Sequence, residues 1–178
     1  GEILALTGLV GAGRAETVRL LFGADIADDG EIILDGEKLK LNNPKDAIEA
    51  GICLLTEDRK DQGLVLGQSI KENFGLPNLK KFSRKGWLNG GSEAQSFEGY
   101  INKLQIKVSG QRQLASQLSG GNQQKVVLAK WLERNAEILI FDEPTRGIDV
   151  GAKFEIYQWM NQLAKAGKGI IMISSELP

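Results

Sequence analysis

The sequence contains no histidine, a single cysteine and no long apolar run. Without histidine, the chain cannot use an imidazole as a metal ligand, as a general base or as a sensor of a phosphate group. Because Cys53 is the only cysteine, no disulfide can form within the chain, and its apolar neighbours predict a small buried core residue in a reducing compartment. No apolar run approaches the roughly 20 residues of a membrane-spanning helix. Any association with a membrane is therefore expected to come through a partner.

Neither sign of charge is in excess, since 22 lysines and arginines face 23 aspartates and glutamates. This balance argues against a nucleic-acid-binding protein that relies on a basic face. A length of 178 residues with 42% apolar and 25% charged residues is typical of one soluble globular domain with its own core. The sequence opens one step before an apolar strand and stops just after another. We therefore expect a fragment that is truncated at both ends.

Apolar runs alternate with helical patterns along the chain, and this predicts an α/β fold with a mostly parallel sheet covered on both faces. A β-hairpin is expected over 31–41, where Asp35-Gly36 suits a tight turn. Residues 69–133 are predicted to form a helical subdomain, and 1–68 with 134–178 the α/β core. Strands are predicted at 3–7, 52–56, 138–141 and 169–174, the first of them buried, and helices at 15–22, 44–50, 69–76, 92–104, 121–134 and 150–166. Residues 83–91 are expected to be a loop, with Ser92 as the N-cap of the next helix.

A glycine-rich loop follows the first strand and has the glycine spacing of a Walker A phosphate loop, in which backbone N–H groups wrap a polyphosphate. Two residues differ from that motif. Arg14 stands where a lysine would reach the β- and γ-phosphates, and Ala15 stands where a hydroxyl would hold Mg²⁺. Glu16 adds a carboxylate that would repel a phosphate. The candidate nucleotide-binding residues of this loop are Gly8, Gly11, Ala12, Gly13, Arg14, Ala15 and Glu16.

Two further motifs carry chemistry that suits a nucleotide. The run Leu118-Ser119-Gly120-Gly121-Asn122-Gln123-Gln124-Lys125 offers backbone N–H groups and a hydroxyl to an anion at a loop-to-helix junction. Ile138 to Phe141 predicts a buried strand that delivers the carboxylates of Asp142 and Glu143 to its end. Together these motifs resemble the signature and Walker B motifs of the ATP-binding cassette (ABC) ATPases.

The resemblance implies a role for each matching residue. Asp142 would hold Mg²⁺ through water, and Glu143 would orient the attacking water as the catalytic residue. Asp149 would belong to the D-loop that passes between two cassettes, and it would equally serve as a helix N-cap. Glu57 falls where the family has its Q-loop glutamine, and Ser175 falls where it has its switch histidine. In the signature run, Leu118, Ser119, Gly120, Gly121 and Gln123 would contact ATP held by the opposing cassette.

The altered positions are Arg14, Ala15, Glu57 and Ser175, and all four belong to the nucleotide site that this cassette would build itself. The signature run is intact. An altered nucleotide site beside an intact signature run resembles the second cassette of the fused, two-cassette ATPases of bacterial sugar importers of the ribose, xylose and galactose type. Members of that group commonly carry threonine where this chain has Ala15. The resemblance implies ATP and Mg²⁺ as cofactors, with weak or absent binding in the chain's own site.

The same resemblance implies the partners and the location. The expected partners are a first ABC cassette, integral-membrane permease subunits and, indirectly, a periplasmic or extracellular sugar-binding protein. No nucleic-acid partner is expected. The expected location is the cytoplasmic face of the inner membrane. The residue that stacks on adenine would lie upstream of Gly1, so we expect negligible ATPase activity from these 178 residues alone.

Two alternatives remain open at the level of sequence. A soluble ABC-type ATPase that acts on nucleic acid or ribosomes predicts a basic face or a long coiled-coil insertion, and neither is visible. A non-catalytic nucleotide-sensing module is motivated by the four altered positions. It predicts that a bulky residue at Ser119 or Gly120 leaves transport unchanged.

Overall fold

The structure is a computed structural model that describes residues 1–9, 11–148 and 150–175. These residues divide into two compact units. The sheet unit comprises residues 1–57, 136–146 and those from 154 onward, and the helical unit comprises 58–135 and 147–153. The chain passes from one unit to the other after residues 57, 135, 146 and 153, whereas the sequence places approximate boundaries near 69 and 133. Each unit has its own core.

The sheet unit is built on four parallel strands: β1 (Ile3–Thr7), β4 (Ile52–Leu55), β7 (Ile138–Asp142) and β8 (Gly169–Ser174). They lie side by side in the order β1-β8-β7-β4, and the predicted parallel sheet is confirmed. Ile52 and Gly169 lie on either side of Ile138, and this register brings the carboxyl ends of the strands to one edge of the sheet.

The first strand differs from its prediction, because β1 is not buried. It lies at the end of the sheet and pairs with β8, and the side chains of Ile3 and Leu4 are 37% and 49% exposed. An apolar run predicts a strand, but it does not distinguish a central strand from an edge strand whose neighbours cover only one side.

Helices α1 (Arg14–Leu21), α2 (Pro44–Glu49) and α7 (Val150–Lys165) accompany this sheet. Helix α2 begins where predicted, because the Asn43 side chain accepts hydrogen bonds from the N–H groups of Lys45 and Asp46 while Pro44 occupies the first turn. The core of the unit is a cluster of buried apolar side chains from helices and strands: Val18, Ala47, Ile52, Ile140 and Ile173.

The predicted hairpin is present as β2 (Ile32–Leu34) and β3 (Glu37–Leu39), which pair antiparallel. Asp35 and Gly36 have φ angles of 53° and 83°, as a turn of two left-handed residues requires.

The helical unit surrounds a cluster of aromatic rings. Phe74 is fully buried and stacks on Phe97 with ring centroids 4.7 Å apart, while Tyr100 and Phe82 lie at 5.6 Å and 5.9 Å from the same ring. A π-helical turn, Arg59–Gly63, opens the unit. The other elements are α3 (Ile70–Gly75), α4 (Leu79–Phe82), β5 (Ser83–Arg84), β6 (Trp87–Leu88), α5 (Gly90–Lys103) and α6 (Gly120–Glu133).

Two predictions for this unit are wrong. The expected loop over 83–91 contains the hairpin of β5 and β6, and α5 begins earlier than predicted, with Asn89 rather than Ser92 as its N-cap. The Asn89 side chain accepts hydrogen bonds from the N–H groups of Gly91 and Ser92. Glycines are poor helix formers, and for this reason the pattern conceals the first turn of α5.

Candidate nucleotide-binding site

A cavity of about 440 Å³ lies in the sheet unit at the carboxyl edge of the strands. The loop between β1 and α1, the end of β7 and the end of β8 contribute to it. Nine of the predicted site residues line this cavity. The lining residues are Gly11, Ala12, Arg14, Ala15, Glu16, Glu57, Asp142, Glu143, Arg146, Ile173 and Ser175.

The glycine-rich loop has the backbone freedom that a phosphate cradle needs. Gly11 and Gly13 have φ angles of 85° and 81°, and a Cβ built on either would meet nothing within 4 Å. Gly13 is the N-cap of α1, so the loop delivers the amino end of that helix to the cavity. Gly8 is the first glycine of the loop, and a Cβ built on it would lie 3.7 Å from Cδ of Arg14.

Arg14 points back across the cavity. Its Nη1 donates to the carbonyl oxygen of Ser174 at the end of β8, and its Nη2 donates to the carbonyl of Leu9 at 3.4 Å. The same Nη1 lies 3.8 Å from Oε1 of Glu143, and the two side chains are only 12% and 11% exposed. The guanidinium therefore occupies the space between the phosphate loop and the acidic end of β7.

Glu143 is held from two further sides. The backbone N–H of Ser175 donates to Glu143 Oε1 at 2.6 Å, and the N–H of Glu143 donates to the carbonyl of Ile173 at 3.0 Å. Glu143 also adopts a φ of 43°, in the left-handed region that costs a non-glycine residue free energy. A strained residue kept in place by its neighbours is a common feature of functional sites.

The neighbouring carboxyl of Asp142 is sensitive to this crowding. Burial raises its pKa above the ordinary aspartate value, and the charge of Glu143 raises it further, while the guanidinium of Arg14 acts in the opposite direction. A cation delivered by the phosphate loop thus stabilises two carboxylates that would otherwise repel each other.

Glu57 forms an ion pair with Arg146, whose side chain is 69% exposed. Sequence reasoning did not single out Arg146, although it lies in the turn after the acid pair. Its N–H donates to the carbonyl of Glu143 at 3.1 Å, and this bond places its side chain beside the cavity. No motif in the sequence marks Arg146 as a site residue, and its place beside the cavity follows from the turn after Glu143.

The signature residues lie in the helical unit at the start of α6. Ser119 is the exposed N-cap, and its Oγ accepts a hydrogen bond from Asn122 at 2.9 Å. Leu118 and Gln123 are buried, and Gln123 Nε2 donates to the carbonyl of Ala115 at 2.9 Å. These contacts fix the loop-to-helix junction so that the hydroxyl and the helix N-terminus face solvent.

Arg59 lies against this junction. Its Nε donates to Gln123 Oε1 at 3.4 Å, and a Cβ on Gly120 would lie 2.6 Å from its Nη2. A Cβ on Gly121 would lie 3.0 Å from the methyl group of Ala152. A side chain at Gly120 would therefore displace the Arg59 guanidinium, and one at Gly121 would press on Ala152. Asp149, the predicted D-loop residue, lies outside the described residues.

Among the described residues, no group of three or more histidine, cysteine, aspartate or glutamate side chains is placed to hold a metal ion. Within the same ranges, no helix is both long enough and apolar enough to cross a membrane.

A parallel sheet whose carboxyl edge carries a glycine loop, a helix N-terminus and an acid pair defines a P-loop type of nucleotide-binding protein. The family model for ABC transporters matches residues 1–146, and the chain belongs to this family.

Curated relatives extend the comparison. The chain is 57% identical over 178 residues to the ribose import ATP-binding protein RbsA of Oceanobacillus iheyensis and 52% identical to that of Bacillus subtilis, covering 100% of this chain and 36% of each relative. It is 53% identical to a ribose/galactose/methyl galactoside import ATP-binding protein of Rhizobium etli, of which it covers 34%. The chain thus spans about a third of the length of these relatives.

Solved structures support the fold. A dimeric ATP-binding cassette in a post-hydrolysis state with ADP and Pi matches 98% of this chain and 75% of its own, with a TM-score of 0.81 and 22% identity. A second cassette in its ADP conformation gives a TM-score of 0.78 at 21% identity, covering 99% of this chain and 70% of its own.

Proposed function

We propose that this chain is a cassette of a sugar-import ATPase and couples ATP binding and hydrolysis to the import of a monosaccharide of the ribose, xylose or galactose class. The relatives that match the whole chain are named as ribose or ribose/galactose import ATP-binding proteins, and this supports the substrate class. The acid pair, the glycine loop and the signature run supply the parts that ATP hydrolysis by such an enzyme uses.

Within that enzyme the cassette has an asymmetric role. Its own site is degenerate, and its signature run completes the ATP site of a partner cassette. The observation that carries this proposal is the ion pair between Arg14 and Glu143, with both side chains almost buried. A planar guanidinium anchored to Ser174 and Leu9 cannot reach forward to phosphate as a compact ammonium does, and it neutralises the carboxylate that would orient water.

The donor set of the chain's own cavity does not fit a resident Mg²⁺. Ala15 offers a methyl group where a hydroxyl would bind the ion, and the carboxylates of Glu57 and Glu143 are paired with arginines. Asp142, the predicted Mg²⁺ ligand, is thus left without the other donors that such a site needs. ATP therefore binds weakly or not at all in this site.

The signature face has the chemistry that a polyphosphate requires. An exposed serine hydroxyl lies at the N-terminus of the 14-residue helix α6, and the guanidinium of Arg59 is fixed beside Gly120. The partner cassette belongs to the same polypeptide or to an opposing subunit. Integral-membrane permease subunits and a sugar-binding protein complete the proposed assembly, which places the chain at the cytoplasmic face of the membrane.

The asymmetry is tested by ATP turnover in the full-length transporter ATPase assembled with its permease. Glu143→Gln is compared with the same substitution at the matching glutamate of the first cassette. We expect a small loss for Glu143→Gln and a loss of about a hundredfold or more for the other variant, because only the latter removes a residue that orients water. Equal losses would contradict the asymmetric role while leaving the sugar-import function in place.

The signature role has its own control in the same assembly. Ser119→Phe is expected to abolish turnover at the partner site, whereas Ser116→Phe, an exposed serine three residues earlier, is expected to leave it intact. Unchanged transport with Ser119→Phe would favour the non-catalytic sensing module instead.

A further inference from the structure

The β5–β6 hairpin and the helix before it form an exposed surface that the nucleotide chemistry does not use. We propose that this surface docks directly on an anionic phospholipid bilayer. It is defined here as the hairpin surface and consists of exposed residues of one segment: Leu76, Leu79, Lys80, Lys81, Arg84, Lys85 and Trp87.

The first observation is the exposure of large apolar side chains on one short segment. Trp87 is 82% exposed, and Leu76 and Leu79 are 43% and 45% exposed. Tryptophan is among the side chains that proteins usually bury at least in part, and its ring is enriched at membrane–water interfaces, where an apolar body and a polar N–H are both accommodated.

The second observation is charge segregation. Residues 73–92 contain four cations and no aspartate or glutamate, although the whole chain has a net charge of −1. Lys81 pairs with the buried carboxylate of Glu133. Arg84 and Lys85 form no ion pair with any residue that the structure describes. Apolar side chains bordered by unpaired cations are the composition of interfacial membrane segments, in which the cations meet lipid phosphates.

The third observation is that the hairpin is held rigidly. Phe82, at its base, is 4% exposed and packs against Phe74 with ring centroids 5.9 Å apart, and Asn89 at the other end donates its N–H to the Phe82 carbonyl at 2.8 Å. Lys85 and Gly86, with φ angles of 52° and 83°, close the turn. The tip is thereby presented in one conformation, so little ordering entropy is lost on docking.

The pairing within the hairpin places the two kinds of side chain together. Arg84 lies directly opposite Trp87 in the antiparallel pair, so both side chains stand on the same face. An acidic protein surface would satisfy the cations but would leave an exposed indole with no apolar partner of its own. A bilayer interface accommodates both, and for this reason the lipid surface is the occupant that the chemistry favours.

Sedimentation with vesicles tests the proposal on the purified protein. The vesicles are phosphatidylcholine alone and equimolar phosphatidylcholine and phosphatidylglycerol. We expect binding to the anionic vesicles that weakens with added salt, and little binding to the neutral ones. Arg84→Gln with Lys85→Gln should weaken binding about 25-fold, since each cation near an anionic surface contributes about fivefold.

The matched control is Lys40→Gln with Lys45→Gln, which removes two exposed lysines from the sheet unit and should leave vesicle binding within about twofold. Trp87→Ala should weaken binding about tenfold, and Trp87→Phe should retain binding while removing the blue shift of tryptophan emission on vesicle addition. These are surface residues, so thermal melting should be unchanged in every variant.

Equal binding by the hairpin and control variants would overturn the proposal. Unchanged vesicle binding with loss of permease association in the hairpin variants would also overturn it, and would assign the surface to a protein partner.

Discussion

Among single residues, Arg14 is the one on which the proposed asymmetric role of the cassette rests. A lysine at this position would carry a compact charge on a flexible stem, whereas the guanidinium makes hydrogen bonds in one plane and settles against the carbonyls of Ser174 and Leu9. The charge of Arg14 also offsets the negative charge of Glu143 and opposes the rise of the Asp142 pKa. In the proposed function, Arg14 is therefore an internal structural cation rather than a ligand-binding one.

Tyr100 provides a test at this scale that is independent of nucleotide. Burial raises its pKa to about 12, and the nearby charge of Glu133 and a hydrogen bond to that carboxylate act in the same direction. The protonated phenol is favoured in the folded state, so its contribution to stability is present below pH 10 and is lost as the pH rises through about 12. Ultraviolet titration should show one tyrosine that ionises only near this value.

Tyr100→Phe should remove that late phase, and Tyr157→Phe should leave it in place. If the late phase survived in Tyr100→Phe, the assignment would be wrong.

At the scale of elements, the ends of the helices are determined by local side chains. Helix α3 begins with a complete capping box, in which Ser69 Oγ accepts from the N–H of Glu72 and the Glu72 carboxylate accepts from the N–H and hydroxyl of Ser69. These hydrogen bonds lower the pKa of Glu72, the side-chain bond from Ser69 having the largest effect. A short helix of six residues depends on such a cap because it has few hydrogen bonds of its own.

Ser69→Ala should therefore lower the free energy of unfolding by about 1 kcal/mol at neutral pH. Because the pKa of Glu72 is lowered in the folded state, its hydrogen bonds with Ser69 stabilise the fold at any pH above the ordinary glutamate pKa. This stabilisation is lost as the pH falls and Glu72 becomes protonated, so Ser69→Ala should destabilise the protein less in acid. Chemical denaturation at neutral and acidic pH measures both effects. Ser92→Ala, which alters a serine that is not the cap of α5, should cost less. A penalty that stayed constant with pH would exclude Glu72 from the effect.

At the scale of the whole molecule, the two units differ in how they are stabilised. The sheet unit is built around aliphatic side chains such as Ile140 and Ile173, and the helical unit around stacked rings with Phe74 at their centre. A substitution that destabilises the core of one unit should therefore leave the other unit folded.

Phe74→Ala should destabilise the helical unit by about 3 to 5 kcal/mol, because it leaves a cavity among the rings. Amide hydrogen exchange should lose protection in α3 and α5 first, while β7 and β8 retain theirs. Phe74→Leu gives a milder version if the alanine variant does not fold, and Ile33→Ala, at a 61% exposed position, should change stability by less than about 0.5 kcal/mol. Uniform loss of protection across both units would show that the cores unfold together.

Local residue patterns were sufficient for much of this molecule. The order of the long strands and helices, the turn at Asp35-Gly36 and the start of α2 at Pro44 follow from apolar periodicity and turn chemistry, and the structure confirms them. The exposure of β1 and the hairpin over 83–88 did not follow, because neighbours distant in sequence decide whether a strand is covered and because a two-residue strand has too short a pattern to recognise.

Motif residues and apolar periodicity were enough to predict the α/β fold of an ABC cassette and most of the residues that line the candidate site, since residues at adjacent strand ends meet at one sheet edge. Which charged side chains pair with each other is visible only in the folded chain. The pairs of Arg14 with Glu143 and of Glu57 with Arg146 join residues far apart in the chain, and no spacing rule predicts them. The physical reason is that strand and helix patterns are local, whereas ion pairs depend on where the folded chain places each side chain.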